Sequence, residues 1–300
     1  MEITLRYVTL FRYRAPVWDS HNALRACPRT DEHQATLTYH LEIAPAARIQ
    51  TYQDRWGTRV DTFGIRASHD ELLVDARAEV TTSPRPTPGP SDAAALADDG
   101  FRSEHWLFLH PTAHTRWTPA MAAEAQEVVA GIDDTTARVS SIMDFVHGSM
   151  AYVPGATTIG VDPSEVWEAR KGVCQDYAHL AIALLRSVGI PSRYVSGYFY
   201  AADPSVGSSP DGAEIVVQTH AWVEAAIPGF GWWACDPTNG LEAGERHVTI
   251  GHGRDYDDVT PLRGVYHGDT NHELAVEVTM GLDSVDWQRL PSLGPASPEQ

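Results

Sequence analysis

"RKGVCQDYAHLAIALLRSVGIP", Arg170 to Pro191, is the stretch on which the reading of this chain turns. From Tyr177 the apolar side chains recur at Leu180, Ala181, Leu184, Leu185 and Val188, the spacing of one helical face. Gly189-Ile190-Pro191 supplies a stop. Cys174 then stands in the first turn, where free N–H groups and the positive end of the helix dipole favour a thiolate. A small, inert core cysteine would suit the same position.

The rest of the chain narrows what that thiol can be for. The 300 residues are 43% hydrophobic and 21% charged, enough for one large domain or two smaller ones. Cys27, Cys174 and Cys235 are too few and too far apart for a disulfide framework or paired zinc ligands, so a reducing compartment, the cytoplasm, is expected. The opening "MEITLRYVTLFRYRAP" has an early acid and no apolar block, unlike a signal peptide. No apolar run approaches the roughly 20 residues that cross a bilayer. A formal charge of −18 repels phosphate backbones and anionic lipids, which argues against nucleic-acid and membrane partners. Lys171 is the sole lysine and hence the sole Schiff-base candidate.

Up to Thr82 the pattern is short and alternating, in "ITLRYVTLFRYR", "QATLTYHLEIAP", "RVDTFGIRA" and "ELLVDARAEVTT", which predicts half-buried antiparallel strands. "SPRPTPGPSD", Ser83 to Asp92, reads as an extended spacer and sets a boundary between a β-rich domain at 1–90 and a second domain at 91–300. Beyond it "SEHWLFLH", "PAMAAEAQEVVAGI" and "TTARVSSIMDFVHGSM" look helical. After the cysteine helix, strands are expected in "SRYVSGYFY", "EIVVQTHAWVEAAI", "GWWACDP", "HVTIGH" and "ELAVEVTM", with an exposed loop at 201–212.

A thiolate enzyme needs a base and a group to orient it. Alternation in "EIVVQTHAWVEAAI" groups Val216, Gln218, His220, Trp222 and Glu224 on one face, away from Ala221, Val223 and Ala225. In "GWWACDP" it groups Trp232, Ala234 and Asp236. Pairing His220 directly with Asp236 centres the hairpin on Pro228, inside the turn-forming "IPGFG", and sets the two side chains together on one face.

With these pieces in hand, the chain resembles the bacterial transglutaminase-like, papain-related cysteine superfamily. The likeness lies in "GVCQDYAHLAIALLRSVGIPSRYVSGY", "THAWVEAAIPGFGWWACDPTNG" and "HVTIGHGRDYDDVTPLRGVYHG". "LRACPRT" and "YQDRWGTRVDTF" are similar to the β-domain that precedes this core in many bacterial members. The resemblance implies an α+β fold, a cysteine helix packed on an antiparallel sheet. It also implies Cys174 as nucleophile, His220 as general base and acid, and Asp236 as the orienting carboxylate.

The expected chemistry is amide hydrolysis, of a peptide or isopeptide, through a thioester. Acyl transfer from glutamine and non-catalytic peptide binding stand as alternatives. Tyr152 and Gln175 are candidate oxyanion donors, and Trp222 could cover the base or simply pack. Asp176 reads as a first-turn acid and His179 as structural. "GRDYDD", Arg254 to Asp258 with its preceding glycine, either lines the cleft or locks a loop. No cofactor is called for. The His/Asp-rich stretch of His247, His252, Asp255, Asp257, Asp258, His267, Asp269 and His272 lacks HExxH or any compact metal-ligand spacing. The expected partner is a peptide or protein amide, with a functional association with amide-forming ligases suggested by the resemblance.

Overall fold

A single long strand, β1 (Glu2–Leu24), organises the first half of the molecule in the computed structural model, which describes residues 1–158, 160–201, 215–217, 219–269 and 271–282. It is followed by β2 (Gln34–Ala44), β3 (Ile49–Gln53), β4 (Arg59–Ile65) and β5 (His69–Thr82). Helices come next: α1 (Asp99–Glu104), α2 (Pro119–Val128) and α3 (Thr135–Ser149). Then come β6 (Ala151–Tyr152), α4 (Pro163–Ala169), β7 (Lys171–Gly172), α5 (Cys174–Ser187) and β8 (Ser192–Phe199). The chain continues through β9 (Ile215–Val217), β10 (Thr219–Ile227), β11 (Gly231–Asp236), β12 (Leu241–Glu242) and β13 (His247–Gly253). It closes with α6 (Tyr256–Val259), β14 (Leu262–His267) and β15 (His272–Leu282). Apart from exposed Ala201, the expected loop at 201–212 lies outside the described residues, as does the "SLGPASPEQ" tail.

Two antiparallel sheets carry the architecture. The first runs β2-β5-β1-β15-β9, with β4 and β14 on the far part of β1 and β3 beside β4. The second runs β12-β11-β10-β8-β13. The proline spacer at 83–90 has no regular structure, yet β14 and β15, far beyond it, both pair with β1. The first sheet is therefore built from both ends of the described chain.

One expected strand divides. "EIVVQTHAWVEAAI" becomes β9, which pairs with β15 in the first sheet, and β10, which pairs with β8 and β11 in the second. The alternation continues through the break, so period alone carries no sign of a change of sheet. Val216 and Gln218 as side chains lie outside the described residues.

α5 sits at the centre of the second half. The sequence pattern predicted one apolar stripe, but every residue from Asp176 to Arg186 is buried. The reason is that α2, α3 and α4 pack on it as well as β8 and β10, so its polar positions are also enclosed. Arg186 stays buried because its guanidinium donates to the carbonyl oxygens of Ser192, His110 and Arg254 and to the Thr115 hydroxyl.

The second sheet is covered on both faces. Ala221, Val223, Ala225 and Ile227 of β10 share a core with α5. Tyr198, Tyr200, Val248 and Ile250 share another with Ile3, Leu5, Tyr7 and Val74 of the first sheet. Trp222 closes a small third cluster with Val195, Ala234 and Ala243.

Candidate active site

Cys174 is the first residue of α5, half-buried, and it lines a cleft that His220 also lines. The helix start is fixed by Asp176, whose Oδ2 accepts the Val173 N–H at 2.8 Å and the Thr157 hydroxyl at 2.6 Å. Burial pushes the Asp176 pKa up, and these two bonds oppose the rise. Gly172 is required here, because a Cβ on it would stand 2.5 Å from Asp176 Oδ2. Asp176 is thus the expected first-turn acid, used as a cap.

His220 lies at the start of β10, where Thr219 and His220 are half-buried before the strand goes fully inside at Ala221. Its Nε2 is 2.7 Å from Asp236 Oδ2, which leaves Nδ1 as the ring nitrogen for the cysteine. The Cys174 sulfur is 3.9 Å from the Thr219 carbonyl oxygen beside it. Burial alone would lower the His220 pKa, but hydrogen bonds with Asp236 and Cys174 and the charges of both push it up to about 10.

Asp236 ends β11 and is wholly buried. Its Oδ1 accepts the backbone N–H groups of Thr238 and Asn239, and its Oδ2 accepts Asn239 Nδ2 at 2.7 Å. Burial would raise its pKa, yet hydrogen bonds from His220 and His247, the His220 charge and Asn239 hold it far below the usual carboxylate range. The expected hairpin register needs correction: Ile227 faces Gly231, so the turn centres on Gly229 and not Pro228. Positive φ at Gly229 and Gly231 allows the three-residue turn. Continuing that register sets Asp236 level with Trp222, so it reaches His220 diagonally, still on the shared face.

Tyr152 is brought to the cleft because β6 pairs in parallel with β7, setting it beside Gly172. Gln175 lines the same cleft. Trp222 is 1% exposed, with its ring 6.1 Å from that of His220 and 5.1 Å from that of His247. It backs the histidines from inside. Trp232, a candidate neighbour for it by alternation, instead packs against Phe108, His105 and Arg193. His179 is structural, stacked on His114 and accepting the Tyr256 N–H, and burial holds it well below its ordinary pKa.

"GRDYDD" does both things open to it. Tyr256 lines the cleft, while Arg254 holds Asp258 through paired bonds of 2.8 and 3.0 Å. The first sheet's side of the molecule clamps this segment: Arg25 N–H donates to the Pro261 carbonyl at 2.7 Å and Arg55 pairs with Asp258. Pro261 is itself a cleft residue.

Two residues escaped the sequence reading. Asn239, three places after Asp236, was signalled only by its "DPTNG" turn. His247 stands in the His/Asp-rich stretch and opens the third family-like piece, with no local signal of a role. In the structure its Nε2 is 3.1 Å from the same Asp236 oxygen that holds His220. The ligand atoms of His220, Asp236 and His247 lie within 4.8 Å of one another, as in a metal chelate. Gly244 N–H, however, donates to His247 Nδ1 at 3.2 Å, so the lone pair is on Nδ1 and a proton occupies the Nε2 that a metal would need. The remaining members of that stretch are dispersed: His252 lies between Arg29 and Arg193, Asp255 caps α6, Asp257 meets His114 and His267 lies tilted against Trp18.

This geometry is accompanied by a family assignment. Residues 122–237 match the transglutaminase-like superfamily and residues 3–81 the bacterial transglutaminase-like N-terminal region. An uncharacterized protein of Mycobacterium leprae is 35% identical, covering 90% of this chain and 96% of its own length. A protein-glutamine gamma-glutamyltransferase of Pseudomonas aeruginosa is 32% identical over 70% of this chain, though only 27% of the relative. A solved structure from Cytophaga hutchinsonii, named as a candidate cysteine protease, superposes with a TM-score of 0.72 at 21% identity, over 100% of this chain and 94% of the other. The chain belongs to the transglutaminase-like superfamily, with the α+β fold of that class.

Proposed function

We propose that the protein is a cysteine-dependent amide hydrolase working through a thioester on Cys174. The observation that carries this reading is the chain of contacts from the cleft sulfur to His220 and on to buried Asp236, 2.7 Å from the ring. With the thiol proton already on His220, Sγ attacks the amide carbonyl carbon. The oxyanion is met by the Cys174 N–H, one of the free donors of a helix start, and by Tyr152 O–H as the second donor, with Gln175 the alternative. Collapse breaks the C–N bond and the amine leaves with the proton from His220. Water, deprotonated by the same ring, then attacks the thioester carbon; the acid departs and the thiol returns. Asp236 keeps its charge throughout and orients the imidazole.

Transfer of the acyl group to a second amine is the other reading, favoured by the enzyme names of the Pseudomonas relative and of a bovine one that is 30% identical over 39% of this chain. The substrate is a peptide or protein amide, and a working association with amide-forming ligases is part of the proposal. Nucleic acid and membrane surfaces are disfavoured by the charge of −18. Free Cys27, Cys174 and Cys235 fit a cytoplasmic setting. No helix among the described residues is long and apolar enough to cross a membrane.

Mass spectrometry of small-amide libraries, with and without an added amine, tests the reading. Wild type should release acid products, or amine adducts if transfer dominates, and Cys174→Ala should release neither. Equal products from both proteins would end the enzyme reading.

A further inference from the structure

We propose that His247 is a positioning residue of this site, a second neutral imidazole whose Nε2–H shares the Asp236 oxygen that holds His220. The inference rests on reading Cys174, His220 and Asp236 as the catalytic group.

One ring proton of His247 has a fixed place. A backbone N–H can only donate, so the Gly244 bond to His247 Nδ1 forces the ring proton to Nε2, which faces Asp236 Oδ2 at 3.1 Å. Burial lowers the His247 pKa below its ordinary 6.5, with Asp236 only partly opposing, so the ring stays neutral. The groups that face it are Asp236 from β11, His220 and the Trp222 ring from β10, the Phe199 ring from β8, and Arg246 in the turn just before its own strand. With His247 only 2% exposed, water cannot substitute for it as a donor.

Oδ2 thus receives three hydrogen bonds, from His220, His247 and Asn239. They compete for one oxygen. Each added donor disperses negative charge and weakens the pull on the others, so His247 moderates how tightly Asp236 holds the His220 proton. A base that must return its proton to a leaving amine is served by that moderation. His247 touches neither sulfur nor cleft and acts only through the carboxylate.

The test uses Cys174 alkylation by iodoacetamide, followed by mass spectrometry of that peptide across pH, because it reads the sulfur–imidazole pair without any substrate. Wild type should show an alkaline step as His220 loses its proton at about 10. His247→Phe, which keeps a ring and deletes the donor, should move that step upward by about one pH unit. His247→Gln, which restores an N–H donor, should bring it back most of the way. A purely structural role would lower the melting temperature and leave the step in place. A folded Phe variant with an unshifted or lowered step overturns the proposal, as does a Gln variant that behaves like Phe. Nitrogen-15 histidine spectra give a second readout that needs no variant to fold: a charged or Nδ1-protonated His247 at neutral pH also overturns it. A wild type with no imidazole-linked step at all instead defeats the catalytic reading beneath.

Discussion

The two sheets of this protein live in different surroundings. β2, in the first sheet, alternates between half-buried and exposed residues along most of its length. β10, in the second, is buried at every position from Ala221 to Ile227. One sheet has a side facing water and the other is pressed between a helix layer and its neighbour sheet. The buried sheet is where His220, Asp236 and His247 meet, at 0% exposure for Asp236 and 2% for His247. Enclosure removes water as a competing partner, so each polar group there depends on its protein partners for satisfaction. The contrast implies that the site sheet is intolerant of small changes that the outer sheet absorbs.

The sharpest way to break that contrast is Asp236→Asn. The substitution keeps size and burial but offers an amide N–H to His220 in place of a charge, favouring the wrong tautomer. We expect a fall in kcat of roughly 10³- to 10⁴-fold with little change in fold, read by steady-state kinetics beside circular dichroism. A loss under tenfold would mean that the carboxylate is scaffolding.

A matched pair of folding measurements comes next. Gly197 lies opposite His220 on β8, and a Cβ there would stand 2.1 Å from the Val248 carbonyl oxygen and 2.6 Å from Trp222 Cη2. Gly197→Ala should therefore cost at least about 2–3 kcal/mol in denaturant unfolding, because backbone and a packed indole must both give way. Val276→Thr on β15 of the first sheet, 49% exposed, should change stability by under about 0.5 kcal/mol. Comparable costs at the two positions would erase the distinction.

The mildest effect is on pH. His220 is raised from 6.5 to about 10, so the stability it contributes is fully present below 6.5 and is lost as pH rises through 10. Asp236 is depressed from 3.8, so its contribution is present above 3.8 and is lost on further acidification. The melting-temperature gap between wild type and His220→Gln should be widest between 3.8 and 6.5 and narrow towards 10. A gap that grows with alkalinity would reverse the assigned sign.

The helix from Cys174, the face carrying His220 and the strand ending at Asp236 were all legible, because each depends on local period, capping and turn chemistry. The exact pairing was not. A turn of three residues and one centred a residue earlier keep the same parity, so alternation could not separate Gly229 from Pro228 as the centre. His247 was hidden for a different reason: its partner sits eleven positions back, across a turn, and nothing local marks a histidine as a donor to that carboxylate. The union of β14 and β15 with β1 was equally invisible, since strand periodicity carries no address for a partner more than two hundred residues away. The full burial of α5 escaped for want of any local record of how many layers surround it.

That union bears on the order in which a ribosome delivers the chain. β1 meets β5 on one side soon after it is made, but the strand that completes its other edge, β15, follows more than two hundred residues later. Until then a long strand edge is open to mispairing with other nascent chains. The proline-bounded wall at Pro261, tethered to Arg25, also arrives late. The nucleophile helix can thus form well before its cleft is walled, and a polypeptide released early would carry the thiol without a finished pocket around it.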